Sequence, residues 1–189
     1  MTTAQATFDA FCLDLGRRQP TPGGGAAAAA AAAIGSALGA MAAAYTTGPK
    51  WAEREAEATA LAADLRQAAA TMLVRADADT RAYAALARSW RDDSLPQEER
   101  MAIADTARAV PADLLADCAR HAATLQDFLP RCNPRIVSDA RAAIHLLAGA
   151  GRAAFQTLLV NDPPAPMHDQ AQQDLARLSA AEADCAISG

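Results

Sequence analysis

Apolar residues recur along the chain at helical spacing, and no stretch alternates as a strand does. Phe8, Phe11, Cys12 and Leu15 fall at i, i+3, i+4 and i+7, which predicts a short amphipathic helix on a bundle surface, stopped by Gly16 and the prolines beyond. From Trp51 to about Arg88 the sequence lacks Gly and Pro. Leu61, Leu65, Met72 and Val74 mark the apolar side of a long helix there, and Glu53, Glu55, Glu57, Arg66 and Arg75 its solvated face. Ser94-Leu95-Pro96-Gln97 reads as a capping box opening a further helix with Ile103, Leu114, Leu115, Cys118 and Leu125, in which Pro111 predicts a bend near Val110. After the turn Arg131-Cys132-Asn133-Pro134, Ser138 is placed as the cap of a helix running to about Asn161, with Gly149 and Gly151 permitting close helix contacts. Asp162-Pro163-Pro164-Ala165-Pro166 predicts an extended linker, and His168 to Ala186 a last helix.

The stretch from Pro20 to Thr46 stands apart. Pro20-Thr21-Pro22-Gly23-Gly24-Gly25 excludes a helix before it and allows a tight, open turn; eight alanines follow, then Ile34-Gly35-Ser36-Ala37-Leu38-Gly39-Ala40-Met41. Alanine is the best helix former and lets neighbours approach closely, so this element reads as a buried central helix. Its first N–H groups and the helix dipole suit an anion beside the glycines; the alternative is a turn whose N–H groups meet water or a neighbouring loop. The uncharged span from Gln19 to Pro49 is long enough to cross a bilayer, but thirteen of the twenty residues from Ala26 to Tyr45 are alanine, too few large apolar residues for a membrane span. Gly35, Ser36, Gly39 and Ala40 form a small-residue ridge for tight packing, within the chain or across a dimer axis.

At 189 residues, 52% hydrophobic but only 4% aromatic, the chain predicts one all-α domain, residues 1–189, an up-and-down bundle whose core is alanine and leucine. A net charge of −5 with scattered basic residues argues against nucleic-acid binding. Cys12, Cys118, Cys132 and Cys185 lie far apart with no metal-ligand spacing, and nothing before Phe8 reads as a signal peptide, so buried reduced thiols, no metal and a cytoplasmic location are expected. His145, six residues after Asp139, reads as packed or partly exposed, and His121 and His168 carry no signal.

The Pro-Thr-Pro-Gly-Gly-Gly turn with its alanine-rich helix, followed over a hundred residues later by Asn133-Pro134-x-x-Val137-Ser138-Asp139 and then Arg152 and Asn161, resembles the cyclodeaminase/cyclohydrolase family. That family includes the cyclodeaminase half of formiminotransferase-cyclodeaminase and stand-alone methenyltetrahydrofolate cyclohydrolases. The resemblance implies a helical homodimer binding a folate in a groove between helices and between subunits, with tetrahydrofolate entering only as substrate. Asp79, within Asp77-x-Asp79-x-x-x-Tyr83, is similar to the family's acidic position on its long helix, and Val110-Pro111 to its helix kink. The chain departs from the family pattern at Ala26, Ala44, the single Lys50 and Thr157. On this resemblance Asp139, with Asp79 second, is expected to steady the cationic amidine carbon and handle the attacking water. Pro22, Gly23, Gly24, Gly25, Lys50, Asn133, Ser138, Arg152 and Asn161 are expected to bind substrate, with Lys50, Arg141 or Arg152 matched to the carboxylates of the glutamate tail. The chain length and the absence of a formiminotransferase half lead to an expectation of 5,10-methenyltetrahydrofolate hydrolysis. Cyclodeamination of 5-formiminotetrahydrofolate, or folate binding without turnover, are the alternatives.

Overall fold

Gly23, in extended conformation, ends the glycine turn and is followed directly by α2 in a computed structural model that describes residues 7–183 and 185 of the chain. Those residues contain six α-helices and two short 3-10 segments, with no strand among them. They are α1 (Phe8–Leu15), α2 (Gly24–Ala44), α3 (Glu55–Ser89), α4 (Gln97–Phe128), α5 (Val137–Leu159) and α6 (Ala165–Ala183), with 3-10 turns at Pro49–Arg54 and Leu129–Arg131. The chain is all-α, as its periodicity predicts.

α2 packs most extensively against α3 and α5, and α4 closes over α5 and α3, with α6 laid against α4 and α5. Small residues make this possible. A Cβ on Gly35 would sit 3.1 Å from Leu146 Cβ and 3.2 Å from the Ala143 carbonyl oxygen of α5, while one on Gly39 would press on Leu125 of α4 at 2.8 Å and Leu65 of α3 at 3.2 Å. The Gly35–Ala40 ridge is therefore spent inside the subunit, where Gly35, Ser36, Gly39 and Ala40 are all buried. The larger core side chains fill the seams between backbones: Leu65, Met72, Leu114, Leu115, Leu125, Phe128, Ile144, Leu147, Leu158 and Leu178 are fully buried, each contributing about 1.5–3 kcal/mol by removal from water. By length and composition α2 is apolar enough to cross a membrane, yet most of it is buried against its neighbours.

Several local expectations are corrected. Ser94 does not cap α4: its hydroxyl donates to Asp92 Oδ1 at 2.6 Å, and Pro96 occupies the N-cap, because the Asp-x-Ser turn offers the nearer acceptor. Ser138 lies inside the first turn of α5, with Ile136 at the N-cap. The Trp51 region winds as a 3-10 turn before α3 begins at Glu55. Val74 is 60% exposed, Gly149 faces open space, and Cys12 is exposed on α1 rather than buried. Ala165 and Pro166 belong to α6, since proline is tolerated in a first helical turn, which shortens the linker. The position Ala186 lies outside the described residues.

Pro111 neither ends nor divides α4, which is continuous from Gln97 to Phe128. The carbonyl it leaves without an intrahelical donor is that of Ala107, and the Asn161 carboxamide supplies the missing bond, Nδ2 donating to Ala107 O at 2.8 Å. The end of α5 is thereby tied to the middle of α4.

Candidate functional site

A cavity of about 510 Å³ opens where the glycine turn meets α3, α4 and the end of α5. Gly23, Gly24 and Gly25 form one wall; Asp79, Tyr83 and Leu86 of α3, with Trp90 at its C-cap, form another; Ala107 and Arg108 of α4, with Thr157, Asn161 and Asp162 at the end of α5, complete it. Asp79, Tyr83, Leu86 and Trp90 are spaced i, i+4, i+7 and i+11, one helical stripe aimed into the cavity.

The Asp79 carboxylate occupies the space that a side chain at residue 25 would need: a Cβ on Gly25 would collide with Oδ1. The same carboxylate accepts the Ala26 N–H in the first turn of α2. Burial pushes its pKa above the ordinary carboxylate range, and the Ala26 bond opposes that rise. The helix N-terminus thus holds a half-buried acid, met by the backbone rather than by a side chain of residue 26. Thr21-Pro22, whose peptide bond is cis, leads into this wall.

Beyond Asp79 the cavity becomes aromatic. Tyr83 and Trp90 meet edge to face with centroids 6.4 Å apart, and Trp90 remains 64% exposed, a surface for a planar ligand. Arg108 stands across from α3. Its Nε donates to the carbonyl oxygens of Asn161 at 2.9 Å and Asp162 at 3.0 Å, and Nη1 to Asp105 at 3.1 Å. Asp162 holds a positive φ of 50°, a conformation that Asp tolerates better than most residues.

Among the residues expected from sequence, Gly23, Gly24, Gly25, Asp79 and Asn161 line this cavity, and Pro22 lies in its wall between the lining residues Thr21 and Gly23. Asn161 reaches it with its amide nitrogen already engaged by the carbonyls of Ala107 and Thr157. A second group lies at the other end of α2. There Asn133 Nδ2 donates to the Tyr45 carbonyl at 2.9 Å and its backbone N–H to Thr46 Oγ1 at 3.1 Å, so Asn133 closes the C-terminal end of the helix. Ser138 and Asp139 follow in the first turn of α5, Ser138 Oγ lying 3.4 Å from Asp139 Oδ2, and Lys50 sits over the Trp51 ring at 5.4 Å. A helix of 21 residues spans about 30 Å, so within one chain Asp139 and Asp79 stand at opposite ends of α2. Arg152 belongs to neither group: Glu182 of α6 holds it at 2.6 Å, with His145 Nδ1 3.0 Å from the same carboxylate. Arg141 lines none of the cavity, and its Nε is buried without a partner.

Sequence reasoning passed over Trp90 and Arg108 and named Tyr83 only as part of a motif. The stripe from Asp79 would have found the aromatics. Nothing local marks Arg108, which enters the site through the α4–α5 contact made around Pro111.

The fold and this cavity define an all-helical protein with a carboxylate poised at a glycine-rich helix N-terminus. Residues 7–180 match the formiminotransferase-cyclodeaminase family, and the chain belongs to that family. Formiminotetrahydrofolate cyclodeaminase from Thermotoga maritima has the same fold, with a TM-score of 0.89 at 20% identity over 96% of this chain and 94% of that one. No curated protein sequence gives a significant match.

Proposed function

We propose that the cavity holds the one-carbon bridge of a reduced folate and that the chain hydrolyses 5,10-methenyltetrahydrofolate to 10-formyltetrahydrofolate, as a cytoplasmic enzyme needing no cofactor beyond its substrate. The observation that carries this reading is Asp79, a carboxylate set into the cavity wall between Gly25 and the Ala26 N–H. The carbon joining N5 and N10 in the methenyl compound is cationic, and a carboxylate beside it stabilises the charge and accepts a proton from attacking water. As the water oxygen bonds to that carbon, Asp79 takes one of its protons. The neutral adduct collapses to a formyl group on N10 when its hydroxyl loses a proton and N5 gains one, which breaks the carbon–N5 bond and releases one proton overall. Tyr83 and Trp90 offer the planar ligand an aromatic face.

The folate-related chemistry of the family also supports cyclodeamination, the activity in the name of the Thermotoga protein. In that reaction N10 attacks the formimino carbon and ammonia leaves after protonation, a task for Asp79 in its protonated form. Absorbance of the methenyl chromophore separates the readings: it falls with hydrolysis and rises, with ammonia release, on cyclodeamination. Folate binding without turnover would make the protein a binding member of the fold, and neither binding nor turnover would overturn the folate reading.

The two residue groups at the ends of α2 support a homodimeric site. No charged residue occurs in α2, and its outer face presents Ile34, Met41 and Tyr45, which are 46%, 36% and 61% exposed. A second copy packed antiparallel on that face, about a two-fold axis perpendicular to α2, brings the Asn133–Asp139 group of one subunit beside the glycine turn of the other. Asp139 then joins Asp79 at one substrate.

A further inference from the structure

We propose that Arg108 reads the anionic tail of the substrate, so that this chain selects folates carrying a free carboxylate remote from the reacting carbon. This rests on the folate reading of the cavity. Within one chain, of the other basic residues matched to a tail carboxylate, Arg152 is held by Glu182, Lys50 lies at the far end of α2 with Asp139, and Arg141 is absent from the cavity lining. Among the described residues, Arg108 is the one basic residue that lines the cavity.

Its guanidinium is already aimed. Two carbonyl oxygens at the end of α5 fix Nε, and Asp105 fixes Nη1, so the planar group has lost its rotational freedom before any ligand arrives. Among the described residues Nη2 makes no hydrogen bond, which leaves an outer N–H pair for a carboxylate oxygen. Asp105 does not cancel the charge, because that carboxylate is 71% exposed and its pairing is screened by water, whereas the arginine side chain is only 24% exposed. The backbone supporting Arg108 includes Asp162 in its left-handed conformation, and the carbonyl beside it comes from Asn161, which is itself anchored to the α4 carbonyl that Pro111 frees. A charge-assisted bond to a carboxylate in such a setting gives about a 10–100-fold preference in binding.

The test compares 5,10-methenyltetrahydrofolate with an analogue whose glutamate is replaced by a neutral ethylamide, the reacting bridge being identical. Turnover is read by methenyl absorbance and binding by calorimetry. Wild type should favour the glutamate form by about 10–100-fold in kcat/KM, and Arg108→Ala should bring that ratio close to one, with the loss carried by KM. Arg108→Lys should recover part of the preference. Because the readout is a ratio between two substrates on the same preparation, a partial loss of folded protein in Arg108→Ala leaves it unaffected. An undiminished preference in Arg108→Ala, or equal losses on both substrates, would overturn the inference while leaving the folate reading intact. Wild type that neither binds nor turns over either compound would overturn both.

Discussion

Among single residues, Gly25 and Asp79 make the contact on which the site depends. The backbone at residue 25 comes so close to the carboxylate that even a methyl group has no room, so Gly25→Ala must displace Asp79 or the first turn of α2. The expected outcome is a loss of about 1–3 kcal/mol in stability together with a fall in turnover, checked by denaturant unfolding and initial rates on the same protein. The glycines of the turn were legible in the sequence, but the reason Gly25 must be glycine was not, since it lies in a contact 54 residues away in the chain, from residue 25 to residue 79. Asp79 is marked in the sequence only by the family resemblance. Arg108 was illegible altogether, because a lone arginine in a helix acquires its meaning only from the carbonyls it meets at the end of α5.

Between elements, the informative case is the joint between α4 and α5. Pro111 leaves α4 one continuous helix from Gln97 to Phe128, and the Ala107 carbonyl that it frees is satisfied by Asn161. Asn161→Ala should therefore leave a carbonyl without its partner and cost about 1–3 kcal/mol. In a Pro111→Ala background, where residue 111 regains an N–H for Ala107, the same substitution should cost clearly less, and a double-mutant cycle by urea unfolding measures the difference. Equal costs in both backgrounds would separate the two residues. Helix positions were read well from periodicity because apolar spacing survives any tertiary context. Caps at Ser94 and Ser138 were misread because a serine hydroxyl takes the nearest geometrically available acceptor, and that choice is made by turn geometry that sequence alone does not display.

For the whole molecule, composition made the all-α bundle legible: an aromatic-poor, alanine-rich chain has few other ways to bury its surface than by bringing helix backbones close together. The division of the expected site residues between the two ends of α2 was not legible, since chain order gives no helix length in space or direction of packing. If a second copy reunites them, mixing inactive Asp79→Asn and Asp139→Asn subunits should restore about a quarter of wild-type sites' activity per mixed population at equal amounts, because half the dimers are mixed and each mixed dimer rebuilds one of two sites. Absence of any recovery after verified subunit exchange would remove the composite site. Asp79 also links stability to pH. Its folded pKa is raised, so its contribution is greatest below the ordinary carboxylate pKa and is lost as pH rises through the folded value; at neutral pH Asp79→Asn should be at least as stable as wild type. That property makes Asp79→Asn the most direct test of the central claim. Its kcat on 5,10-methenyltetrahydrofolate, measured on protein shown to be folded and to bind the folate, should fall about 10²–10⁴-fold. A folded Asp79→Asn protein turning over at the wild-type rate would contradict the account.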